Sequence, residues 1–213
     1  TAIEIKAYWD ISFARQPNRQ CSEDACSEQL LALLRDTVRL HLRSDVPFGA
    51  FLSGGLDSSL IVGLMSEFLD QPIKTFSVGF ETSNGIVDER SYAQTVARRF
   101  GTEHHEIVVG ARDFVDLAEK MVWHLDQPIA DQATFAIYQL SALARQHVKM
   151  VLTGEGGDEL FAGYARHLGE RLAFCARPIP APARSFMLAM SSRMPGLRRS
   201  KLALYALCQS GEN

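Results

Sequence analysis

The chain has 213 residues, of which 46% are hydrophobic and 22% are charged, and its net charge is −3 at pH 7. Such a chain can bury the core of one α/β domain, and its charge gives no indication of a nucleic-acid partner or an anionic membrane. No apolar run approaches the ~18 residues that span a bilayer. The four cysteines lack C-x-x-C spacing, which favours reduced thiols and a cytoplasmic location.

The first predicted helix begins after Ser22. Two acidic residues, Glu23 and Asp24, follow at once, as is typical of a helix N-terminus. Apolar residues then recur at helical spacing up to Leu42. We expect residues 1–21 to form an N-terminal linker ahead of this helix.

The first strand is predicted over residues 46–52, where the apolar character is continuous, as in a central parallel strand. It ends in the turn Ser-Gly-Gly-Leu-Asp-Ser-Ser (residues 53–59), and a helical pattern follows. Strand, glycine turn and helix direct backbone N–H groups and a helix N-terminus towards one place. Glycines admit a ligand close to the backbone, and Ser58 and Ser59 add hydroxyl donors. The turn predicts a phosphate site, although a strand–turn–helix corner capped by serine is the alternative.

Further strands are predicted over 73–80, 105–109 and 149–153, with helices up to Gly101 and over 112–123 and 133–147. Because strands and helices alternate, the sequence predicts an α/β fold: a parallel sheet flanked by helices and joined by right-handed crossovers.

A second glycine turn, residues 154–158, directly follows the last strand. Ligands of open parallel sheets bind beyond the carboxyl ends of the strands, so the two turns face one cleft if the first and fourth strands are neighbours. The acidic residues of the second turn, Glu155 and Asp158, could instead cap a helix that begins near residue 159.

The histidines show no ligand spacing along the sequence, so we expect them to be exposed or packed rather than to bind metal. They are His41, His104, His105, His124, His147 and His167.

The first turn resembles the PP-loop motif S-G-G-x-D-S of the ATP pyrophosphatases, whereas neither a Walker A loop nor a G-x-G-x-x-G fingerprint occurs. Together the two turns resemble the synthetase domain of the glutamine-dependent asparagine synthetase family, and β-lactam synthetases and lasso-peptide cyclases look similar. The resemblance implies a Rossmann-like fold of the adenine nucleotide α hydrolase type. The matching stretches are residues 8–10, 43–47, 75–80, 101–106 and 154–164.

The resemblance implies ATP and Mg²⁺ as cofactors. Glu155 would support formation of an acyl-adenylate, and Asp57 and Asp158 would hold the metal, which binds hard oxygen ligands. The residues expected to bind ATP are Leu52, Ser53, Gly54, Gly55, Asp57, Ser58, Ser59, Val78, Thr153 and Gly154.

The implied reaction activates aspartate with ATP to β-aspartyl-AMP and pyrophosphate, after which ammonia released from glutamine by a separate glutaminase domain displaces AMP to give asparagine. Adenylation of a different carboxylate, or nucleotide binding alone, are the alternatives. No nucleic acid or membrane partner is expected, and a homodimer is one option for the oligomeric state.

The sequence departs from the family at both ends. Neither a cysteine-initiated glutaminase domain nor an R-x-P-F-L-D-like segment occurs within the 213 residues, so we expect a fragment that holds the nucleotide half of the site. We expect the PP-loop domain over 22–177, because prolines cluster after it, and a truncated helical extension over 178–213. Eight Lys or Arg residues lie within 166–201, which is typical of a solvated face or the edge of a phosphate pocket.

Overall fold

The computed structural model describes residues 5–10, 22–81, 89–128, 131–164, 167 and 180. The chain divides into two compact units, Thr1–Ser44 and Asp45–Asn213. The predicted helical extension and nearly all of the basic stretch lie outside the described residues. The predicted domain boundaries at 21/22 and 177/178 stay a prediction.

Unit 1 contains helix α1, Glu23–His41. Ser22 caps it, because its side-chain oxygen accepts a hydrogen bond of 3.2 Å from the backbone N–H of Ala25. Acidic residues in the first turn and basic residues in the last complement the helix dipole. The helix predicted from the capping signals is therefore confirmed.

Unit 2 contains one four-stranded sheet in the order β3-β2-β1-β4, and every neighbouring pair is parallel. This confirms the predicted parallel α/β architecture. No helix among the described residues combines the length and the apolar character needed to cross a bilayer. The elements are β1 Phe48–Phe51, α2 Leu56–Ser66, β2 Lys74–Phe80, α3 Arg90–Phe100, β3 Glu103–Val109, α4 Ala111–Leu125, α5 Gln132–Ala144, β4 Met150–Leu152 and α6 Gly157–Phe161.

The core lies against the central strands. Phe76 of β2 is fully buried and packs with Leu140 and Ala144 of α5 and with Val148 in the following turn. These side chains are apolar, so removing them from water stabilises the contact between α5 and one face of the sheet. That contact fixes α5 against this face of the sheet.

The opposite face of the sheet carries a chain of polar side chains. The hydroxyl of Thr75 lies 2.8 Å from both the Thr102 hydroxyl and Nδ1 of His104. Nε2 of His104 lies 3.1 Å from Oε1 of Glu106, and Oε2 of Glu106 accepts a bond of 3.0 Å from the Gln94 amide. Burial lowers the pKa of His104, although the nearby Glu106 opposes that effect. The network ties β2, β3 and α3 together with little unsatisfied polarity.

Candidate functional site

The strand order brings the two glycine turns together. Strand β1 lies between β2 and β4, with Gly49 opposite Val151 in the parallel register. Residues 53–59 follow β1 and residues 153–158 follow β4, so both turns lie at the carboxyl edge of the sheet. The condition stated above, that the first and fourth strands are neighbours, is therefore met. Strand order reverses here, which is where open α/β sheets bind ligands.

The turns touch backbone to backbone, and glycine makes that contact possible. A Cβ on Gly154 would lie 2.7 Å from the backbone nitrogen of Ser58 and 2.9 Å from Cβ of Asp57. A Cβ on Gly157 would lie 2.6 Å from the carboxyl carbon of Asp57. Side chains larger than hydrogen at these positions would separate the turns. The Asp57 carboxylate is therefore held against the start of α6.

Two of the three serines shape the first turn. The Ser53 backbone N–H donates to the Ser58 hydroxyl over 3.3 Å, and the two hydroxyl oxygens lie 2.9 Å apart. The Ser58 hydroxyl also lies within 3.3 Å of the Gly55 carbonyl, and the Gly55 N–H donates to the Ser53 hydroxyl. By contrast, the buried hydroxyl of Ser59 has no hydrogen-bond partner among the described residues. The structure thus assigns Ser53 and Ser58 an internal role that the motif alone did not predict.

Helix α2 supplies backbone donors. Its N-cap is Gly55, which has no side chain to accept bonds from the first turn. The first amides of a helix have no partner within it, and they carry the positive end of the helix dipole. An anion beyond Gly55 would satisfy them.

A cavity of about 420 Å³ opens between the turns, β2 and α5. This volume lies within the range of small-molecule sites. Among the residues predicted to bind ATP, magnesium or the intermediate, only Gly54 and Ser59 do not line it. Those that do are Leu52, Ser53, Gly55, Asp57, Ser58, Val78, Thr153, Gly154, Glu155 and Asp158.

The cavity has an apolar wall. Leu52 is buried, and its backbone N–H donates to the Phe76 carbonyl over 2.9 Å. Val78 of β2 lies beside it, and α5 adds Ile137 and Leu140. Sequence reasoning missed both α5 residues, because the helical pattern of α5 does not reveal which face meets the end of the sheet.

The cavity is also lined by acidic residues. Five carboxylates line the cavity, and no described lining residue is Lys, Arg or His. Neither Asp57 nor Asp158 forms a salt bridge with a described residue. A polyphosphate here therefore needs a cation to offset the like charges. Two carboxylates beside a phosphate site suit Mg²⁺, which typically binds one or two carboxylates together with substrate phosphates. The five are Asp57, Glu89, Glu155, Asp158 and Glu159.

Glu155 does not cap α6. The N-cap of that helix is Gly156, at φ 91°, and no side chain accepts a capping bond. The Glu155 side chain is exposed, while its backbone N–H donates to the Thr153 hydroxyl over 3.4 Å. Asp158 does lie in the first turn, where an acid favours the helix dipole.

No described histidine lines this cavity, although the ring centroid of His167 lies 5.7 Å from that of Tyr164, which does. His104 belongs to the polar chain on one face of the sheet. On the other face His105 and His147 stack, with ring centroids 4.0 Å apart. Both are partly buried, consistent with packing, but their spacing in sequence gave no sign that they meet.

A parallel sheet with S-G-G-x-D-S at its switch point defines an α/β domain of the PP-loop type. The model of the asparagine synthase family matches residues 29–210, and the chain belongs to that family.

Named relatives agree with this assignment. A Methanocaldococcus jannaschii protein, provisionally named glutamine-hydrolysing asparagine synthetase 2, is 46% identical over 76% of this chain and 30% of its own length. The glutamine-hydrolysing asparagine synthetase 1 of Bacillus subtilis (strain 168) is 36% identical over 97% of this chain and 32% of its own. The chain thus spans about a third of the length of these relatives.

A solved structure of an NH3-dependent NAD synthetase from Campylobacter jejuni, in complex with the nitrate ion, also aligns. The alignment covers 65% of this chain and 60% of the NAD synthetase chain, at 15% sequence identity and with a TM-score of 0.44. A TM-score this low supports no conclusion.

Proposed function

We propose that this chain forms the ATP-binding part of an amide-forming synthetase. ATP would activate aspartate as β-aspartyl-AMP with release of pyrophosphate, and ammonia from glutamine would then give asparagine. Family membership supports the class of reaction, and the names of the relatives support aspartate and glutamine-derived ammonia. A glutaminase domain outside this chain would supply the ammonia.

One observation carries the proposal: the two glycine turns line a single cavity that is also lined by apolar side chains and by carboxylates. The apolar wall suits an adenine ring, and the first turn of α2 suits a polyphosphate. An adenylating enzyme must bind these two groups together and leave the α-phosphate open to attack by a carboxylate.

The residues can be given separate tasks. The amides at the start of α2 would bind the pyrophosphate as it leaves, where negative charge develops. Leu52 and Val78 would contact the adenosine. The exposed Glu155 lies at the rim of the cavity, where it would support the acyl-adenylate.

Asp57 and Asp158 would hold Mg²⁺, because they line the cavity and no described cation pairs with either. When bound, the ion would neutralise the phosphate charge and polarise the phosphoryl oxygens. Gly157 leaves room for the Asp57 carboxylate beside the first turn of α6, which carries Asp158.

A cytoplasmic location and a homodimer are part of the same proposal. The spacing of the cysteines along the sequence, which favours reduced thiols, supports the location.

Exchange of labelled pyrophosphate into ATP tests the proposal. The assay should use the 213-residue chain and any longer protein that contains it, with aspartate and a panel of other carboxylates. Exchange that depends on aspartate supports the proposal, whereas exchange with a different carboxylate assigns another substrate. Absence of exchange from every form of the protein would contradict it.

A matched pair of variants links the activity to the site. Asp57→Asn removes a carboxylate that faces the cavity, whereas Asp116→Asn changes an exposed acid on α4. The first should lose exchange and the second should retain it. Equal activity of the two variants would argue against the site.

A further inference from the structure

A second group of metal-binding side chains lies at the amino end of the sheet. Glu103 and His105 project from the same face of β3, two residues apart, and His147 lies in the turn between α5 and β4. One ligand atom from each residue lies within 4.8 Å of the other two. Within the described part of the chain, no other group of three such residues meets this condition.

We propose that Glu103, His105 and His147 bind a divalent transition-metal ion, with Zn²⁺ as the best match. The site is separate from the nucleotide cavity and does not depend on the proposed function.

The distances are close to those that a metal requires. Zn–N and Zn–O bonds of about 2.0–2.2 Å place neighbouring ligand atoms of a tetrahedral site roughly 3.3–3.5 Å apart. Nε2 of His105 already lies 3.0 Å from a carboxylate oxygen of Glu103. The His105 and His147 planes are inclined at 30°. Since one ligand atom of each of the three residues already lies within 4.8 Å of the other two, a modest contraction would bring them to tetrahedral separation.

The ligand set selects the metal. Two imidazoles and one carboxylate suit zinc, cobalt, nickel or copper, whereas Mg²⁺ and Ca²⁺ prefer oxygen ligands alone. Three protein ligands leave a fourth position for water, as in open zinc sites.

The surroundings hold the histidines in place. Phe76, which is fully buried, has its ring centroid 5.4 Å from that of His105 and 5.8 Å from that of His147. Both histidine rings thus pack against the buried Phe76, whereas the exposed Glu103 leaves the site open to solvent.

One neighbouring charge opposes the metal. Nζ of Lys74 lies 4.0 Å from a carboxylate oxygen of Glu103. A bound cation would compete with this ammonium for the carboxylate, so removing Lys74 should strengthen metal binding. Simple packing of the two rings predicts no such effect.

The site would join elements far apart in sequence. A metal would link the edge strand β3 to the turn that precedes β4, at the end of the sheet opposite the glycine turns. The seven residues of β2 span roughly 20 Å at ~3.3 Å per residue. Metal binding should therefore stabilise the fold without occupying the nucleotide cavity.

Titration of the full 213-residue chain with Zn²⁺, in excess Mg²⁺ to fill oxygen sites, tests the proposal. We expect one Zn²⁺ per chain. His147→Gln should reduce the affinity more than about tenfold, since losing even a group that only hydrogen-bonds to a metal ligand has an effect of that size. His124→Gln, at an exposed histidine of α4, is the control and should bind as the wild type does. Lys74→Met should bind more tightly than the wild type. Absence of Zn²⁺ binding, or equal affinities of the His147 and His124 variants, would overturn the proposal.

A second measurement covers variants that fail to fold. Co²⁺ added to the wild-type chain should produce the visible absorption bands of a tetrahedral nitrogen–oxygen site, and Zn²⁺ should bleach them. Zn²⁺ should also raise the unfolding temperature of the wild type, because it binds the folded state. An octahedral Co²⁺ spectrum with no change in unfolding temperature would contradict the assignment.

Discussion

The two ends of the sheet differ in how their polar groups are assembled. At the carboxyl end, the candidate nucleotide site is formed by two turns, each of which is a continuous stretch of sequence. At the amino end, His105 and His147 meet although 42 positions separate them in the sequence. The spacing of a contiguous turn is set by the backbone, so its chemistry can be inferred from the sequence. A group assembled from distant residues depends on which strands and helices become neighbours.

The largest expected effect concerns the fit of the first turn. Gly54 has φ 80°, and a Cβ there would lie 2.4 Å from the backbone nitrogen of Ala93 in α3. Gly54→Ala should reduce the free energy of unfolding by roughly 2–5 kcal/mol, since left-handed strain and overpacking add. Urea denaturation measures the change.

Gly101→Ala is the matched control for that prediction. Gly101 also has positive φ, at 63°, but a Cβ there meets nothing within 4 Å. Only the left-handed backbone strain remains, so the free energy of unfolding should fall by about 1–2 kcal/mol. Equal losses in the two variants would show that the turn does not press against α3.

The next effect separates catalysis from binding. Glu155→Gln should lower aspartate-dependent pyrophosphate exchange by about 100-fold, the effect of losing one transition-state contact. The affinity for a non-hydrolysable ATP analogue should change little, because Glu155 is exposed at the cavity rim. Glu119→Gln, at an exposed residue of α4, is the control. If both exchange and affinity fell equally in Glu155→Gln, the residue would be a binding group instead.

The hydrogen-bond network around Thr75, on the face of the sheet opposite α5, gives a third prediction. Thr75→Val removes the hydroxyl that contacts Thr102 and His104. Because the position is fully buried, the groups left unpaired should lower the free energy of unfolding by about 1–3 kcal/mol. Thr95→Val, at an exposed threonine of α3, should cost less than about 1 kcal/mol. Thermal or urea unfolding would show whether the two variants differ.

The smallest effect tests the wall that the sequence did not reveal. Ile137→Ala should weaken binding of the ATP analogue by roughly threefold to tenfold, since one buried methylene group is worth about 0.8 kcal/mol and the Ile137 side chain is only partly buried. Val115→Ala, at an exposed residue of α4, should leave the affinity unchanged. Calorimetric titration of the two variants with the ATP analogue in Mg²⁺ measures the difference. Equal affinities of the two variants would mean that the nucleotide does not contact Ile137.

The sequence predicted the strands and both turns because each has a local signature. The start of β3 was missed by two residues, since Glu103 and His104 are polar and do not continue an apolar run. The roles of Ser53 and Ser58 within the turn, the contribution of α5 to the cavity and the meeting of His105 with His147 were also missed. Each depends on tertiary contacts, which the order of residues does not express.

The central claim is that the two glycine turns form one magnesium–nucleotide site. A double-mutant cycle tests it directly: affinities for the ATP analogue in Mg²⁺ are measured for the wild type, Asp57→Asn, Asp158→Asn and the double variant. If the carboxylates share one ion, the account predicts that either substitution removes most of the Mg²⁺ dependence and that the second adds little. Losses that add fully, or an affinity that is unchanged in Asp57→Asn, would contradict it.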